Sequence, residues 1–472
     1  MNRRAFLNRF GVGLGGIALA DMMSAASAGE GGLPGLPHFP PKAKRVIFLL
    51  MSGGPSQLES FDYKPELNRL MGHDLPESYR GGKDKSLPGM AGNQSHFPLV
   101  GSPFKFSQHG RSGAWVSELF PETAKVADDL CFIKSMVSEA VNHDPALALM
   151  QTGSPVSGRP SIGAWVSYGL GTDNRALPPF IVLVTRKPVD QPLSYRLWDS
   201  AFLPSRHQGV QFRSGHDPVL YLNEPAGVSR AMTRRNLDLL KTLHTHEREI
   251  LPDAEIEARI EQYEMAFRMQ SSVPDALDIS HEPESVFDLY GPDARQPGSF
   301  ASNCILARRL AEKNVKFIQL YHPGWDHHGK LVEGFKSIVP EIDRPCAALI
   351  QDLKQRDMLK DTLVVWGGEF GRTSYAQTVD PAKSGGLYYG RDHHRECFTF
   401  WMAGGGVRPG MSYGASCDLG YNVAKDPVTI NDFHATMLHL LGIDHERLTY
   451  RFQGRDFRLT DVAGKVVRGI LA

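Results

Sequence analysis

The stretch between Thr362 and Met402 decides the fold. It opens with the apolar run Thr362-Leu-Val-Val-Trp366, passes through Gly367-Gly-Glu-Phe-Gly-Arg372 and Gly390-Arg-Asp-His-His394, and closes with Cys397-Phe-Thr-Phe-Trp-Met402. The two apolar runs are short and continuous, which is typical of strands buried on both faces. In open α/β sheets the reactive side chains lie at the carboxyl ends of strands, because loops from separate strands converge there. The stretch therefore predicts two core strands and a polar site beside them.

The same alternation of apolar runs and helical patterns extends through most of the chain. Further strands are predicted at 44–51, 130–136, 177–184 and 315–321, with helices between them. Between 185 and 299 the pattern changes to Pro-rich loops and two charged amphipathic helices, which predicts a helical insertion or lid. We predict the α/β class, as a three-layer sandwich with a mostly parallel central sheet and helices on both faces.

The N-terminus has the features of an export signal. Arg3-Arg4-Ala5-Phe6-Leu7 matches the twin-arginine pattern, an apolar run follows from Phe10 to Ala20, and Ala26-Ser27-Ala28 offers a small-residue cleavage site. We expect residues 1–28 to be a twin-arginine signal peptide, 29–44 a linker and 45–472 the folded domain. The processed protein is then periplasmic or secreted, and it is not an integral membrane protein.

The composition argues against nucleic acid and anionic membranes as partners, and against a metal site built from cysteines. The chain has 472 residues with 52 basic and 52 acidic side chains, so its formal net charge is zero. No overall field draws such a protein to nucleic acid or to an anionic membrane. The five cysteines are widely spaced and odd in number, which argues against a disulfide framework and a thiolate metal site. Any anion must therefore be recognised by nearby side chains and not by the overall charge of the protein.

Histidines and acids recur at the ends of several predicted elements. The clusters are His143-Asp144, Asp326-His327-His328, Glu369 near Arg372, and Asp392-His393-His394, with His434 as a fifth position. Imidazole and carboxylate ligands together suit Zn, Mn, Fe or Ca. Taken alone, each cluster could also be an ordinary hydrogen bond within a loop, and His143 could simply lie at the start of a helix. The recurrence of such clusters is stronger evidence, because a doubly wound sheet brings successive strand ends together. We expect these residues to meet in one polar site that holds a divalent metal.

Two arginines accompany this expected site. Arg372 and Arg391 offer paired donors that match the oxygens of a phosphate or sulfate group. The alternative is that they pair with Glu369 and Asp392 and hold the loops together.

Several of these motifs together resemble a known family. The matching runs are Ser52-Gly-Gly-Pro-Ser, Phe61-Asp-Tyr-Lys-Pro65, Gly324-Trp-Asp-His, Gly368-Glu-Phe-Gly-Arg372, Gly390-Arg-Asp-His393 and Ala403-Gly-Gly-Gly406. With the twin-arginine leader, they resemble the secreted bacterial proteins called the domain-of-unknown-function-1501 family, over nearly all of the mature chain. That family is similar to the alkaline phosphatase and sulfatase superfamily. The resemblance implies an alkaline phosphatase-like fold and a metal-assisted transfer of phosphoryl or sulfuryl groups.

The resemblance also assigns places to individual residues. His143 falls where sulfatases carry a nucleophilic Cys or Ser, Asp326 and His327 resemble an Asp and His pair of alkaline phosphatases, and His393 resembles a later loop histidine. The implied metal ligands are His143, Asp326, His327, Glu369 and His393. Three routes remain without a hydroxyl or thiol at position 143: phosphoryl transfer to His143, attack by metal-activated water, or no catalysis. We favour metal-activated water, because a divalent ion lowers the pKa of bound water.

These observations lead to one expected function and one alternative. We expect an exported, metal-dependent hydrolase of sulfate or phosphate esters, with Zn, Ca or Mn as the metal and a small molecule or glycan ester as the substrate. His143, Arg372 and Arg391 are the expected catalytic residues. The alternative is a non-catalytic exported protein that uses the same crevice to bind anionic glycans or a cell-envelope partner.

Overall fold

The structure is a computed structural model of the chain. It describes residues 29–80, 94–186, 192–214, 218, 219, 222, 224, 227–250, 254–377 and 389–472. The expected signal peptide at residues 1–28 lies outside the described residues.

A large mixed sheet forms the centre of the molecule. Within the described residues nine strands belong to it, in the order β12-β4-β11-β8-β1-β7-β5-β6, with β15 paired to β4. The strands in chain order are β1 (Arg45–Ser52), β2 (Phe106–His109), β3 (Ala114–Ser117), β4 (Leu130–Val137), β5 (Phe180–Val184), β6 (Val210–Phe212), β7 (Phe317–Pro323), β8 (Thr362–Gly367), β9 (Gly371–Ala376), β10 (Arg391–His394), β11 (Phe398–Ala403), β12 (Met411–Tyr413), β13 (Ala415–Ser416), β14 (Val423–Lys425), β15 (Val428–Thr429), β16 (Tyr450–Phe452) and β17 (Arg455–Phe457). β11 is antiparallel to β4 and β8, whereas the other pairs of this sheet are parallel.

Helices cover both faces of the sheet. They are α1 (Gln57–Ser60), α2 (Pro65–Arg69), α3 (Glu77–Arg80), α4 (Pro121–Lys125), α5 (His143–Thr152), α6 (Ile162–Leu170), α7 (Arg230–Ile250), α8 (Ala254–Leu277), α9 (Glu284–Tyr290), α10 (Phe300–Glu312), α11 (Leu331–Gln355) and α12 (Ile430–Leu440). One apolar core packs the sheet against α8, α9, α10 and α11, and a second packs the opposite face against α5, α6 and α12. The predicted three-layer α/β sandwich is confirmed.

The central strand β1 explains why both faces are covered. Its sequence is apolar without interruption from Val46 to Met51, and all its residues are buried. Because side chains alternate along a strand, Ile47 and Leu49 enter one core while Phe48 and Leu50 enter the other. A strand of this kind is stable only between two layers of helices.

Two features bear on the sequence-based expectations. The loop expected between 371 and 394 contains a two-stranded antiparallel ribbon, β9 paired with β10. The expected insertion at 185–299 contains β6, α7, α8 and α9, and its assignment as a separate insertion or lid stays a prediction. Among the described residues, we find no helix that combines the length and the apolar character needed to cross a membrane.

Candidate metal centre

Four segments of the chain bring polar side chains to one place. β1 lies between β7 and β8 and runs parallel to both, so the loops after these strands start side by side. Asp326 lies in the loop after β7, and Glu369 lies in the loop after β8. His143 reaches the same place as the first residue of α5, and His393 reaches it from β10.

His143, Asp326 and His393 form a cluster suited to a metal ion. Their ligand atoms all lie within 4.8 Å of one another. Nε2 of His143 is 3.1 Å from Oδ2 of Asp326, and Nε2 of His393 is 3.2 Å from Oδ1 of Asp326. Two ligands of one tetrahedral zinc ion stand about 3.4 Å apart, because each bond to zinc is about 2.0–2.2 Å long. The observed separations lie close to this value, so the residues present fit a divalent ion.

A third imidazole faces the same carboxylate. Nε2 of His328 is 2.9 Å from Oδ1 of Asp326 and 3.0 Å from Nε2 of His393. Nδ1 of His328 contacts the side-chain oxygen of Gln377, which fixes the ring. Three imidazoles therefore surround one carboxylate, and two of them, His143 and His393, belong with Asp326 to the group that can share one ion.

The two ring nitrogens of His143 have different surroundings. Nδ1 lies 2.6 Å from Oε1 of Glu369. That carboxylate also accepts the backbone N–H of Gly53, at 2.9 and 3.2 Å. Nε2 is buried and makes no aligned hydrogen bond, although Asp326 is close to it. Because Nδ1 is engaged by Glu369, Nε2 is the nitrogen that a metal would use, with the Asp326 carboxylate beside it.

Arg372 fixes the orientation of Asp326. Nη2 of Arg372 donates to Oδ1 of Asp326 at 2.6 Å. Its other donors bond the backbone carbonyls of Gly53, Gly54 and Arg391, and the side chain is only 1% exposed. Because the guanidinium is held by the protein itself, the expectation that Arg372 binds a substrate anion directly is corrected. Arg372 orients a carboxylate of the cluster instead.

Burial and mutual contacts shift the pKa values of the cluster in different directions. Burial alone would lower the pKa of His143, but its contacts with Asp326 and Glu369 outweigh burial and raise it to about 9. Burial lowers the pKa of His393 to about 4, and the charges of Arg372 and His143 add to this effect. Burial would raise the pKa of Asp326, but its contacts with the histidines and Arg372 hold it far below its usual range. At neutral pH, a metal must therefore displace a proton from His143.

The cluster opens to solvent on one side. The side chain of Asp326 is 27% exposed, whereas that of Glu369 is fully buried. Phe370 packs against the rings of His143 and His393, with ring centroids 5.1 and 4.5 Å away. The cluster is therefore accessible from the side of Asp326.

His327 lies outside the cluster, which corrects its expected role as a ligand. Its ring packs on Phe335, with centroids 5.5 Å apart, and Nδ1 lies 3.1 Å from the carbonyl oxygen of Trp325. The ring also lies so close to Gly334 that a Cβ there would come within 2.1 Å of it. The structure places the neighbouring His328 against the carboxylate of the cluster instead.

Arg391 lies in a buried ion pair, and this too corrects the sequence-based expectation. Both Arg391 and Glu59 are 0% exposed, with Nη2 2.7 Å from Oε1. Further donors of the guanidinium bond the backbone carbonyls of Thr373 and Val100 at 2.9 Å. The guanidinium is therefore enclosed and holds loops together. The partner is Glu59 and not Asp392, the partner expected in the alternative interpretation.

Two other histidine assignments are settled by local contacts. His434 is fully buried in the core, and its Nε2 lies 2.8 Å from the carbonyl oxygen of Met150. It does not reach the cluster around Asp326. His328, in contrast, belongs to the cluster. No sequence pattern distinguishes it from His327, since the two histidines are adjacent and come just after Asp326.

The chain is similar to several solved structures. It is 11% identical to Ps i-CgsB, covering 86% of this chain and 72% of that chain with a TM-score of 0.36. It is 9% identical to the lipoteichoic acid synthase LtaP from Listeria monocytogenes, covering 86% and 74% with a TM-score of 0.36. It is 13% identical to the PsFucS1 sulfatase from Pseudoalteromonas sp., covering 85% and 68% with a TM-score of 0.33. Likeness at this level carries no argument about activity.

The family assignment is more direct. No curated protein matches the chain. The family described as a protein of unknown function (DUF1501) matches residues 43–471. Because this range covers nearly the whole chain, the protein belongs to the DUF1501 family.

Proposed function

We propose that the protein is an exported, metal-dependent hydrolase of phosphate or sulfate esters. The observation that carries the proposal is the convergence of His143, His328 and His393 on the carboxylate of Asp326. An imidazole-rich donor set favours zinc, manganese or iron over calcium, which prefers oxygen ligands. The ester class and the export route rest on the sequence motifs described above, since the cluster by itself requires only a divalent ion.

Each side chain of the cluster has a separate task in this proposal. A bound divalent ion supplies a Lewis acid that polarises an ester oxygen and makes water more acidic. His143, Asp326 and His393 hold the ion, and Arg372 keeps the Asp326 carboxylate in place. His328 is 23% exposed and lies beside Asp326 on the open side. It is our candidate for proton transfer to or from the substrate.

His143 acts as a ligand in this proposal and not as a phosphoryl acceptor. Its Nε2 faces the Asp326 carboxylate at 3.1 Å. A phosphoryl group on that nitrogen would place two anionic groups in contact, which is unfavourable at short range. Hydrolysis by water is therefore the route that this geometry favours.

One observation favours a second candidate function. Arg372 and Arg391 are both enclosed by protein partners, and position 143 holds no hydroxyl or thiol. These facts support, as a second candidate, a non-catalytic protein that binds anionic glycans or a cell-envelope partner in the same crevice.

Metal content and ester hydrolysis, measured on the same preparations, separate the two functions. The purified mature protein is analysed for bound Zn, Mn, Fe and Ca, then assayed with p-nitrophenyl phosphate and p-nitrophenyl sulfate. The test variant is His393→Ala. The matched control is His281→Ala, since His281 is 86% exposed and lies outside the cluster.

The two functions predict different results. The hydrolase predicts metal in the wild type and in His281→Ala, with hydrolysis of at least one ester that is lost in His393→Ala. Bound metal without hydrolysis of either ester leaves the binding function. A wild-type protein that neither takes up metal nor hydrolyses an ester contradicts the hydrolase and leaves only the binding function.

A further inference from the structure

Glu369 stands on the far side of His143 from the proposed metal position. Its Oε1 is 2.6 Å from Nδ1 of His143, whereas Nε2 of the same ring faces Asp326 at 3.1 Å. Nδ1 and Nε2 lie on different sides of the imidazole ring, so an ion bound to Nε2 would lie across the ring from Glu369. The group of side chains able to share one ion accordingly contains His143, Asp326 and His393, and not Glu369.

The contact distances separate the two kinds of interaction. A pair of atoms that ligate one zinc ion stands about 3.4 Å apart, whereas a charge-assisted N–H···O bond is about 2.7–2.9 Å long. The 2.6 Å between His143 and Glu369 is too short for two ligands of one ion. It fits a short hydrogen bond from Nδ1–H.

The position of Glu369 is fixed by the backbone of the first loop. Both oxygens of its carboxylate lie within 3.2 Å of the Gly53 nitrogen. Gly53 has φ +116°, and a Cβ there would come within 2.7 Å of the backbone nitrogens of Trp325 and Asp326. Only glycine fits this place, so the loop after β1 can approach the loop that carries Asp326. Glu369 is thereby connected to the same loops that hold the cluster.

We infer that Glu369 is a positioning residue, which holds His143 with Nε2 directed at the metal position. This inference rests on the proposed metal centre. A carboxylate that accepts the second ring N–H of a ligating histidine fixes the ring tautomer and orientation, and its loss commonly weakens metal binding 10–100-fold. The role first expected for Glu369, direct ligation, is thereby replaced by an indirect one.

Cobalt titration of the full mature protein tests the inference, because the visible spectrum of Co²⁺ reports the number and type of its ligands. The variants are Glu369→Gln, which keeps the size of the side chain, and Asp326→Asn as a benchmark for loss of a ligand. Glu333→Gln serves as a control, since Glu333 is exposed on α11. Thermal unfolding of each metal-free variant is measured in parallel.

We expect Glu369→Gln to bind Co²⁺ 10–100-fold more weakly than the wild type, with the same absorption bands at saturation. Asp326→Asn is expected to change the bands or to lose them. Changed bands in saturated Glu369→Gln would make Glu369 a ligand and overturn the inference. Unchanged affinity with a lowered unfolding temperature would make it a purely structural residue and overturn it as well.

A second measurement covers the case in which Glu369→Gln does not fold. In wild-type protein labelled with ¹⁵N-histidine and loaded with Zn²⁺, the ring of His143 should keep its proton on Nδ1. Zinc bound to Nδ1 would refute the inference. A wild-type protein that binds neither Co²⁺ nor Zn²⁺ removes the proposed function itself, which distinguishes that failure from a failure of Glu369 alone.

Discussion

Glu59→Gln removes the charge partner of a fully buried arginine. Arg391 donates to both carboxylate oxygens of Glu59, at 2.7–3.1 Å, and Tyr389 adds a hydrogen bond from its hydroxyl at 3.1 Å. The substitution leaves the guanidinium charged, buried and without a counterion. Loss of one partner of a buried pair typically costs about 3–5 kcal/mol. The remaining bonds from Arg391 to the carbonyls of Thr373 and Val100 place our expectation near the lower end, at about 3 kcal/mol.

Urea denaturation followed by tryptophan fluorescence measures this cost, because Trp366 and Trp401 are buried in the central sheet. The double variant Glu59→Leu/Arg391→Met removes both charges. It should recover most of the lost stability, since apolar groups of similar volume often replace a buried pair without loss. Glu66→Gln provides the control, because Glu66 and Arg69 form an exposed pair, and we expect a change within about 1 kcal/mol.

Two results would refute the structural role of the Arg391–Glu59 pair. If Arg391→Met keeps the unfolding free energy of the wild type and abolishes ester hydrolysis, Arg391 contacts the substrate and the structural role is wrong. Equal losses in the single and double variants would also contradict it, since the argument depends on an uncompensated charge.

Three further predictions follow from individual contacts. The pKa of about 9 keeps His143 protonated without metal, so Zn²⁺ binding at pH 7 should release about one proton. The affinity for Zn²⁺ should then fall about tenfold for each pH unit below 9. Calorimetry in two buffers measures both effects. His328→Ala should weaken Zn²⁺ binding at least about tenfold while His327→Ala leaves it unchanged, because only His328 faces Asp326; equal effects in a zinc titration would contradict the placement. Burial lowers the pKa of His434 from 6.5 to about 4. As the pH drops, the unfolded state therefore binds the proton before the folded state does. The free energy of unfolding should fall by roughly 3 kcal/mol in total between pH 6.5 and pH 4. His434→Asn should remove that part of the acid-induced loss in denaturation curves.

The strands that form the core were predictable from their own residues. β1 is apolar over six consecutive positions, from Val46 to Met51, and such a run is stable only inside a covered sheet. The ribbon of β9 and β10 was not predictable in this way. Its strands carry arginine, aspartate and histidine at positions that are all buried. They are held by contacts with distant loops, which no local pattern records.

The candidate site was predictable in outline and not in detail. The meeting of His143 and Asp326, which follow β4 and β7, was predictable from the rule that parallel strands end at one edge of the sheet, whereas His393 enters from the β9–β10 ribbon. The choice between His327 and His328 depends on the turn of the loop after β7, which sequence spacing does not determine. The partner of Arg391 lies 332 positions away. Only the folded chain brings such a pair together.

Anomalous diffraction from a crystal of the zinc-loaded wild-type protein tests the central claim most directly. The account predicts one zinc peak, about 2.0–2.2 Å from Nε2 of His143, Nε2 of His393 and a carboxylate oxygen of Asp326. A crystal grown with excess zinc that has no peak at this position, or has zinc only at surface histidines, would contradict it.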